Sequence, residues 1–383
     1  MQFTREVLEE QEDRNLAPYA IRSKNSLGRK FPQEEPPYRT CFQRDRDRIL
    51  HTTAFRRLEY KTQVFFNFEG DYYRTRLTHT LEVTQIGRTI ARALGANEDL
   101  VEAVCLAHDL GHPPFGHSGE STLAKMMKDH GGFDHNKHSL RIVTELEKRY
   151  SDFDGLNLSW EVLEGIVKHE TEYDQSDARD YNPEFRGSLE AQITNVADEM
   201  AYTAHDLDDG LRSGMITEDM LSGIELWEIL LGTVGIRNGH LDDLNRHRII
   251  RKLIGMEVTS LVNHTAETLR QSSVTSVKEL QSLSYNVVGF DEEMTQRNRQ
   301  LKDFLYRNLY RHYRVMRMQT KAEATLTRIF QMYVSEPSVL PTHIQLLVAE
   351  RGLERAVCDY IAGMTDRFAV EEYRRLFDPE VLP

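Results

Sequence analysis

The sequence has few cysteines and no long apolar run, and both absences limit what the chain can be. Its three cysteines, Cys41, Cys105 and Cys358, lie far apart and form no CxxC pair. This excludes a disulfide framework and favours a reducing compartment. No run of about 18 apolar residues is present, and the polar N-terminus lacks the apolar segment of a signal peptide. We therefore expect a cytoplasmic globular protein with no contact to a membrane.

Positive charge is also scarce, since the net charge of the 383-residue chain is −13. This argues against a protein that coats nucleic acids in general. Two stretches are nevertheless basic: residues 39–92 carry 11 Lys and Arg against 6 acidic residues, and residues 296–330 carry 9 against 2. Each stretch is explained equally well by a solvated helix face or by an anion-binding surface.

Strand signals are nearly missing, with residues 62–68 as the one short extended candidate. The polar and Pro-punctuated residues 1–38 predict an arm with little regular structure. Helical spacing of apolar residues predicts an all-α chain after residue 40. The segments that we predict as helices are 75–94, 98–109, 118–130, 159–169, 189–211, 216–231, 241–272 and 292–334.

Caps and stops fix some of these helices closely. Asn97 has the side chain of a good N-cap, and Gly95 fits the stop of the helix before it. Gly111, Pro113 and Pro114 forbid continuation of the helix that ends at residues 108–109. The sequence therefore predicts a loop between two helices at this point.

Histidines and carboxylates concentrate in the first half of the chain, where ten of the fifteen histidines fall between His51 and His205. Two imidazoles and two carboxylates suit a divalent metal of intermediate hardness, such as Mn, Fe, Co or Ni. The four side chains that we select for such a site are His79, His108, Asp109 and Asp198. A single histidine on a helix is more commonly a core residue, so the grouping carries this prediction.

The run from His108 to Glu120, His-Asp-Leu-Gly-His-Pro-Pro-Phe-Gly-His-Ser-Gly-Glu, strengthens the prediction. It places three histidines within ten residues, between prolines and glycines. A packed core does not need such a loop, and breaks in local folding rules tend to mark functional sites.

Several motifs resemble those of the deoxyguanosine triphosphate triphosphohydrolases and related dNTP triphosphohydrolases of the HD superfamily. The run 108–120 resembles the central motif of that family. The other matching motifs, which extend the resemblance over about residues 16–315, are Phe42-Gln-Arg-Asp-Arg-Asp-Arg48, Ala54-Phe-Arg-Arg-Leu58, Lys61-Thr-Gln-Val-Phe65, Thr75-Arg-Leu-Thr-His79, Asn195-Val-Ala-Asp-Glu-Met-Ala-Tyr202 and Leu301-Lys-Asp-Phe-Leu305.

The resemblance implies a role for each matching residue. The metal ligands are His79, His108, Asp109 and Asp198, with Mg added to the candidate ions. His117 and Glu120 match a catalytic histidine–acid pair, in which Glu120 would orient His117, and His135 matches a histidine near the leaving group. The implied substrate contacts are Gln63, Arg76, His112, Tyr202 and Asp206. Some relatives have Lys after the final aspartate, whereas this chain has Glu199, which removes one phosphate contact.

These implications predict an all-α fold with an HD-domain helical core and additional C-terminal helices. The division that we expect is an N-terminal arm (1–38), an HD-domain catalytic core (39–215) and a C-terminal helical region packed on the core (216–383). The implied activity is metal-dependent hydrolysis of dGTP or another dNTP to a deoxynucleoside and triphosphate. Expected partners are the dNTP substrate, further copies of the chain, and a regulatory dNTP or single-stranded DNA.

Two alternatives stay open at this point. The metal set alone also suits an HD phosphohydrolase of another nucleotide, such as a 5′-nucleotidase or a phosphodiesterase. A regulatory protein that binds nucleotides or single-stranded nucleic acid through residues 296–330 belongs to a different class. Only the substrate contacts Gln63, Tyr202 and Asp206 favour dNTP hydrolysis over these alternatives.

Overall fold

The computed structural model describes residues 2–64, 73–169, 180–236 and 241–382. These residues form helices and no strand, apart from three isolated bridges, so the predicted all-α class is confirmed. Among the described residues, no helix is both long enough and apolar enough to cross a membrane. The α-helices in chain order are α1 (Arg5–Asn15), α2 (Cys41–Leu50), α3 (Thr53–Arg57), α4 (Arg76–Leu94), α5 (Glu98–Ala107), α6 (Gly116–Met126), α7 (His135–Arg141), α8 (Trp160–Val167), α9 (Leu189–Arg212), α10 (Glu218–Leu221), α11 (Glu225–Val234), α12 (Asp243–Ser272), α13 (Val277–Gln281), α14 (Glu292–Leu305), α15 (Tyr313–Ser335), α16 (Thr342–Arg351), α17 (Leu353–Ala362) and α18 (Asp366–Phe377).

Helices α4, α5 and α9 form the centre of the fold, and the candidate site lies where they meet. Thr75 caps α4 through a hydrogen bond from the Thr78 amide, and Gly95 ends it with a φ of 70°. Asn97 caps α5 by accepting from the amides of Asp99 and Leu100. The predicted caps of both helices are confirmed, because each depends on local side-chain chemistry.

The three central helices approach closely where Gly87 of α4 faces α5 and α9. A Cβ atom at Gly87 would lie 3.0 Å from Val101 Cγ1 and 3.1 Å from Cys105 Sγ. The apolar face predicted for α9 is buried in the same region, as shown by Ile193 and Ala197. This packing holds the polar faces of α4 and α9 at a fixed separation.

The loop between α5 and α6 ends earlier than the sequence suggests. Helix α6 begins at Gly116, two residues before the predicted start at Ser118 or Gly119, and it ends at Met126. Phe115, the residue before the helix, has a φ of 66° and no side-chain capping bond. An aromatic residue with a left-handed backbone conformation is uncommon before a helix, so the sequence contained no standard capping signal.

The N-terminal arm is the clearest correction, because its described residues, 2–38, are more ordered than predicted. They contain helix α1 and a 3-10 turn at Ser23–Asn25. Glu12 of α1 accepts hydrogen bonds from the Ser23 amide and hydroxyl and from the Asn97 side chain. These contacts join segments that are far apart in the sequence. The polar composition of the arm therefore could not predict that it is ordered.

The helices of the second half are interrupted at points that the sequence pattern did not predict. The predicted helix 216–231 is split into α10 and α11 around Gly223, which has a φ of 87°. The predicted helix 292–334 is split into α14 and α15 by a π-turn at Tyr306–Tyr310. Of the extended candidate 62–68, residues 62–64 form only a bridge between Thr62 and Thr75, and 65–68 lie outside the described residues.

The C-terminal helices share a hydrophobic core with α6, which follows the loop at residues 108–115, called the histidine loop below. Phe115, Leu123 and Met127 are buried in the same cluster as residues of α15, α17 and α18. The C-terminal helices therefore pack against α6 and against Phe115 at the end of the loop.

Candidate active site

The structure places the four predicted metal ligands around one point between α4, α5 and α9. The Nε2 atom of His79 lies 2.9 Å from Asp198 Oδ1, and that of His108 lies 3.7 Å from the same oxygen. Asp109 approaches from the loop, 3.6 Å from His108 Nε2 and 3.9 Å from His79 Nε2. The ligand atoms of His79, His108 and Asp198 all lie within 4.8 Å of one another, so the group can hold a metal ion.

Both imidazoles are oriented by their other ring nitrogen, as is typical of metal-binding histidines. His108 Nδ1 lies 2.6 Å from the Cys105 carbonyl oxygen, and His79 Nδ1 lies 2.9 Å from His205 Nε2. His108 Nε2 is buried without a hydrogen-bond partner among the described residues. A divalent ion at this position would give that nitrogen a partner, so the residues present fit a metal.

The two carboxylates of the group stay ionised, as metal ligands must. Burial raises the pKa of Asp198, but the adjacent imidazoles of His108, His169 and His79 outweigh it and hold the pKa well below its usual range. For Asp109, burial is likewise outweighed by Arg76 and the neighbouring histidines, so its pKa is also lowered. Arg76 Nη1 donates to both oxygens of Asp109, at 3.0 and 2.9 Å.

A second group of histidines and a carboxylate lies beside the first, formed by His112, Glu120 and His135. Glu120 Oε1 is 2.8 Å from His135 Nδ1 and accepts from the His135 amide at 2.9 Å. The rings of His112 and His135 stack with centroids 3.9 Å apart, and His117 lies 5.7 Å from His112. The structure thus pairs Glu120 with His135, whereas we expected it to orient His117.

The charges in this second group follow from burial and pairing. Burial raises the pKa of Glu120, but the bond from His135 and the adjacent imidazoles outweigh it and lower the pKa. Burial and the charges of Arg76 and His135 hold the pKa of His112 well below its usual range. Glu120 is therefore an anion that fixes the ring of His135, and His112 is neutral.

Both groups face one pocket, which together with the solvent at its mouth encloses about 780 Å³. Of the predicted site residues, all but Glu120 and Asp206 line it. Those two lie directly behind the lining, since Glu120 binds His135 and Asp206 accepts a hydrogen bond from the Tyr310 hydroxyl. The lining residues are Gln63, Arg76, His79, His108, Asp109, His112, His117, His135, His169, Asp198, Glu199, Tyr202, Thr203, Lys302, Leu305 and Tyr310.

Aromatic and acidic side chains form the wall opposite the histidine loop. The ring of Tyr202 lies 5.9 Å from that of Tyr310 and 5.6 Å from that of His205. Asp206 is fully buried beside them, with an oxygen 2.7 Å from His205 Nδ1. Burial raises the pKa of Asp206 to about 7, although the bond from Tyr310 lowers it.

Several lining or supporting residues were not predicted from the sequence, among them His169, His205, Lys302 and Tyr310. His169 Nε2 lies 3.5 Å from Asp198 Oδ2, and its Nδ1 is held 2.8 Å from Asn195 Oδ1. His205 orients His79, and its place two turns from Asp198 on the same face of α9 was a usable signal. Tyr310 and Lys302 come from the second half of the chain, where only the motif 301–305 pointed to the site.

Lys302 lies beside Glu199, the position at which some relatives have lysine. Its ammonium group forms an ion pair with Glu199, and both side chains line the pocket. A cation therefore stands near the position where some relatives carry lysine.

Comparisons with known proteins agree with this geometry. Residues 76–203 match the HD domain, and residues 288–375 match the phosphohydrolase-associated domain. The chain is thus an HD-domain protein. It is 53% identical to a deoxyguanosinetriphosphate triphosphohydrolase-like protein of Geobacter metallireducens, over 96% of this chain and 97% of the relative. A protein of the same name from Nitrosomonas europaea is 48% identical over 95% of this chain and 98% of the relative.

On these grounds the chain belongs to the deoxyguanosinetriphosphate triphosphohydrolase-like family of HD phosphohydrolases. Among solved structures, a hypothetical protein from Aquifex aeolicus matches with a TM-score of 0.40 and 18% identity. That match covers 87% of this chain and 71% of the other.

Proposed function

We propose that the protein hydrolyses a deoxynucleoside triphosphate to a deoxynucleoside and inorganic triphosphate. The observation that carries the proposal is one pocket that combines a metal-binding group with a separate histidine–carboxylate group. The first group suits charge stabilisation at a phosphate, and the second suits proton transfer beside it. The names of the relatives support this substrate class.

The metal would be held by His79, His108, Asp109 and Asp198, and Mn, Fe, Co, Ni and Mg are the candidate ions. When bound, a divalent ion supplies Lewis-acid stabilisation of charge on a phosphate oxygen. The remaining chemistry belongs to the side chains around it.

In the proposed reaction, the oxygen of water bonds to the α-phosphorus and the bond from that phosphorus to O5′ breaks. His117 accepts the proton of the attacking water. His135, held by Glu120, gives a proton to O5′ as the deoxynucleoside leaves. The oxygen of water ends on the triphosphate, so atoms and protons balance.

Cationic side chains in the lining of the pocket suit the triphosphate chain. Arg76 bonds Asp109 of the metal group, and Lys302 is paired with Glu199. His112 lies in the same lining, and its single N–H, on Nε2, is donated to Asp109 Oδ1 at 3.0 Å, so it holds that carboxylate in place. The two cations neutralise and align the phosphates, which is the larger part of catalysis in phosphoryl transfer.

The deoxyribose would lie against Gln63 and Tyr202, and Asp206 would act on this wall through Tyr310, from which it accepts a hydrogen bond. Tyr202 and Tyr310 present ring faces, and Asp206 stands behind them. Such a wall leaves little room for a 2′-hydroxyl group. Ribonucleotides should therefore be poor substrates.

The test is a product assay with each of the four dNTPs, and with GTP as the matched ribonucleotide, in the presence of Mn²⁺ or Mg²⁺. Release of inorganic triphosphate from a dNTP, with GTP much slower, is the expected result. Release of pyrophosphate or orthophosphate, or equal rates with GTP, would contradict the proposal and favour an HD phosphohydrolase of another nucleotide.

Partners beyond the substrate belong to the same proposal. We propose that the chain forms homo-oligomers and that residues 296–330 bind a regulatory dNTP or single-stranded DNA. Arg311 lies over the exposed ring of Tyr306 and Arg317 over that of Tyr313, an arrangement that suits an anionic ligand with aromatic bases. Arg297 is instead paired with two glutamates. A salt-dependent oligonucleotide titration on wild type and on Arg311→Glu/Arg314→Glu tests this surface.

A further inference from the structure

One buried carboxylate connects the C-terminal helices with both loops that carry the predicted chemistry. Asp366, the first residue of α18, is 1% exposed. Its Oδ2 accepts from the Thr62 amide at 2.8 Å and from the Thr62 hydroxyl, and its Oδ1 accepts from the Phe115 amide at 2.8 Å. Thus three donors from two separate loops meet one carboxylate.

These two amides stand directly beside residues of the pocket. Thr62 precedes Gln63, and Phe115 stands two residues before His117. The loops also touch each other, because a Cβ atom at Gly116 would lie 3.3 Å from the Thr62 carbonyl oxygen. A change at Asp366 is therefore transmitted to both loops.

Further contacts reinforce the same junction. The ammonium group of buried Lys61 donates to the backbone carbonyls of His112 and Ala362, and Arg57 donates to the Gly363 carbonyl at 2.7 Å. Residues 57–62, 112–115 and 362–366 are thereby tied into one unit. Nothing in the proposed chemistry uses these contacts, which suggests a purely geometric purpose.

We propose that Asp366 is a positioning residue, which holds the Gln63 loop and the His117 loop at the separation that the substrate requires. The idea rests on the proposed function for its consequence in catalysis. Phe115 adopts a left-handed conformation that an L-aromatic residue disfavours, so this loop needs an external contact to hold its shape. The C-terminal region would accordingly act on catalysis without lining the pocket at Asp366.

The test compares Asp366→Asn with Thr365→Ala in the full-length protein. An asparagine keeps the shape of the side chain but has only one acceptor oxygen, so one of the two loop amides loses its partner. Thr365 caps the same helix by accepting from the Phe368 amide and contacts neither loop through that bond. Its variant therefore controls for a weakened α18.

Two readouts decide the outcome. We expect Asp366→Asn to lower kcat for a dNTP by about 10- to 100-fold, since small misplacements of reacting groups cost this much. Bound metal should be unchanged, and amide exchange at Thr62 or Phe115 should speed up at least about tenfold. Thr365→Ala should lower the melting temperature but change kcat and these two exchange rates less than about twofold. Equal kcat or equal exchange in the two variants would overturn the proposal.

The exchange readout separates this inference from the proposed function. If the wild type releases no triphosphate, the proposed function fails, and the exchange comparison alone decides whether Asp366 holds the loops. If Asp366→Asn does not fold, Thr62→Val and Thr62→Ser replace it, because the first removes the hydroxyl donor and the second keeps it. A lower kcat and faster exchange at Thr62 in the valine variant than in the serine variant support the proposal, and identical behaviour refutes it.

Discussion

The two histidines of the metal group are held so that only Nε2 can bind an ion. His108 is fixed by the Cys105 carbonyl and His79 by His205, and both Nε2 atoms face Asp198. Removing either a ring or a carboxylate would leave fewer than four protein ligands. The affinity for a divalent ion should then fall steeply.

We accordingly expect His108→Ala and Asp109→Ala to lose both bound metal and activity while the helical content stays at the wild-type level. Metal stoichiometry by elemental analysis, with circular dichroism, measures this directly. His264→Ala, at an exposed position of α12, is the matched control and should keep its metal. Full stoichiometry in both site variants would show that the ion binds elsewhere.

The partner of Glu120 can be decided by a double-mutant cycle. His135→Ala should lower kcat by roughly 10²–10⁴-fold, the range of one acid–base group. Glu120→Gln should have a smaller effect, because it acts through the ring that it orients at 2.8 Å. In the Glu120→Gln/His135→Ala variant the loss of kcat should equal that of His135→Ala alone. In the Glu120→Gln/His117→Ala variant the losses of kcat of the two single variants should multiply. The reverse pattern would restore Glu120 as the partner of His117.

Glu257 in α12 predicts a pH dependence of stability. It is fully buried beside Asn298, and burial, with the charge of Glu199, raises its pKa to about 8. A carboxyl whose pKa is raised on folding favours the folded state at low pH, and that contribution is lost as pH rises from about 4.5 through 8. One pKa unit corresponds to about 1.4 kcal/mol.

Glu257→Gln should therefore gain stability over wild type by at least about 1–2 kcal/mol between pH 5 and pH 9. Urea unfolding at several pH values measures the difference. Glu267→Gln, at a more exposed position of the same helix, is the control and should show no such gain. A constant difference between Glu257→Gln and wild type across this range would mean that Glu257 does not titrate on folding.

At the scale of elements, the sequence predicted helices well where the ends depend on local chemistry. The ends of α4 and α5 follow from Thr75, Gly95 and Asn97, each of which acts on its own chain neighbours. Helix α1 was not predicted because it is held in place by a hydrogen bond that Glu12 accepts from Asn97, which lies far along the chain. The break between α14 and α15 contains neither proline nor glycine, so no standard sequence signal marked it.

The contact between the histidine loop and α7 gives a prediction at this scale. Gly111 touches α7 so closely that a Cβ atom would lie 2.1 Å from the His135 carbonyl oxygen and 2.3 Å from the Ser139 amide nitrogen. Gly111→Ala must therefore displace α7 and with it His135. We expect a loss of stability of about 1–3 kcal/mol, as for other overpacked sites, and a fall of kcat by at least about tenfold.

Gly232→Ala is the matched control for this substitution. Gly232 lies within α11 and a Cβ atom there has nothing within 4 Å, so alanine should stabilise the helix by about 0.5–1 kcal/mol. Gly111→Ala should lower both the melting temperature and kcat, whereas Gly232→Ala should raise the melting temperature and leave kcat unchanged. Wild-type kcat in Gly111→Ala would show that the position of α7 does not matter for the reaction.

At the scale of the whole molecule, the pocket collects residues from both halves of the chain. The histidine loop and α9 were predicted to meet, because long ordered motifs marked them. Lys302, Tyr310 and His169 reach the pocket only through tertiary packing, and a pattern of apolar residues does not specify which helices face each other. The same holds for Asp366, whose three donors lie more than 250 residues earlier in the chain.

The core shared by α6 and the C-terminal helices gives the last prediction. Leu123 and Met127 are buried among side chains of the last helices, including Val357 and Ile361. Each large apolar side chain in such a core contributes about 1.5–3 kcal/mol, whereas a whole domain is stable by only about 5–15 kcal/mol. A chain that ends after Ser335 lacks α16–α18 and should lose cooperative unfolding and near-ultraviolet circular dichroism.

A chain that ends after Phe377 is the control, because residues 378–382 are exposed and it should unfold as the full chain does. If the shorter chain kept a cooperative transition within a few degrees of the wild type, the catalytic half would be a domain that folds alone. The ties through Asp366 and the shared core would then be accessory. The buried position of Leu123 and Met127 argues for the opposite result: the C-terminal helices are needed to keep α6, and with it the histidine loop, in place.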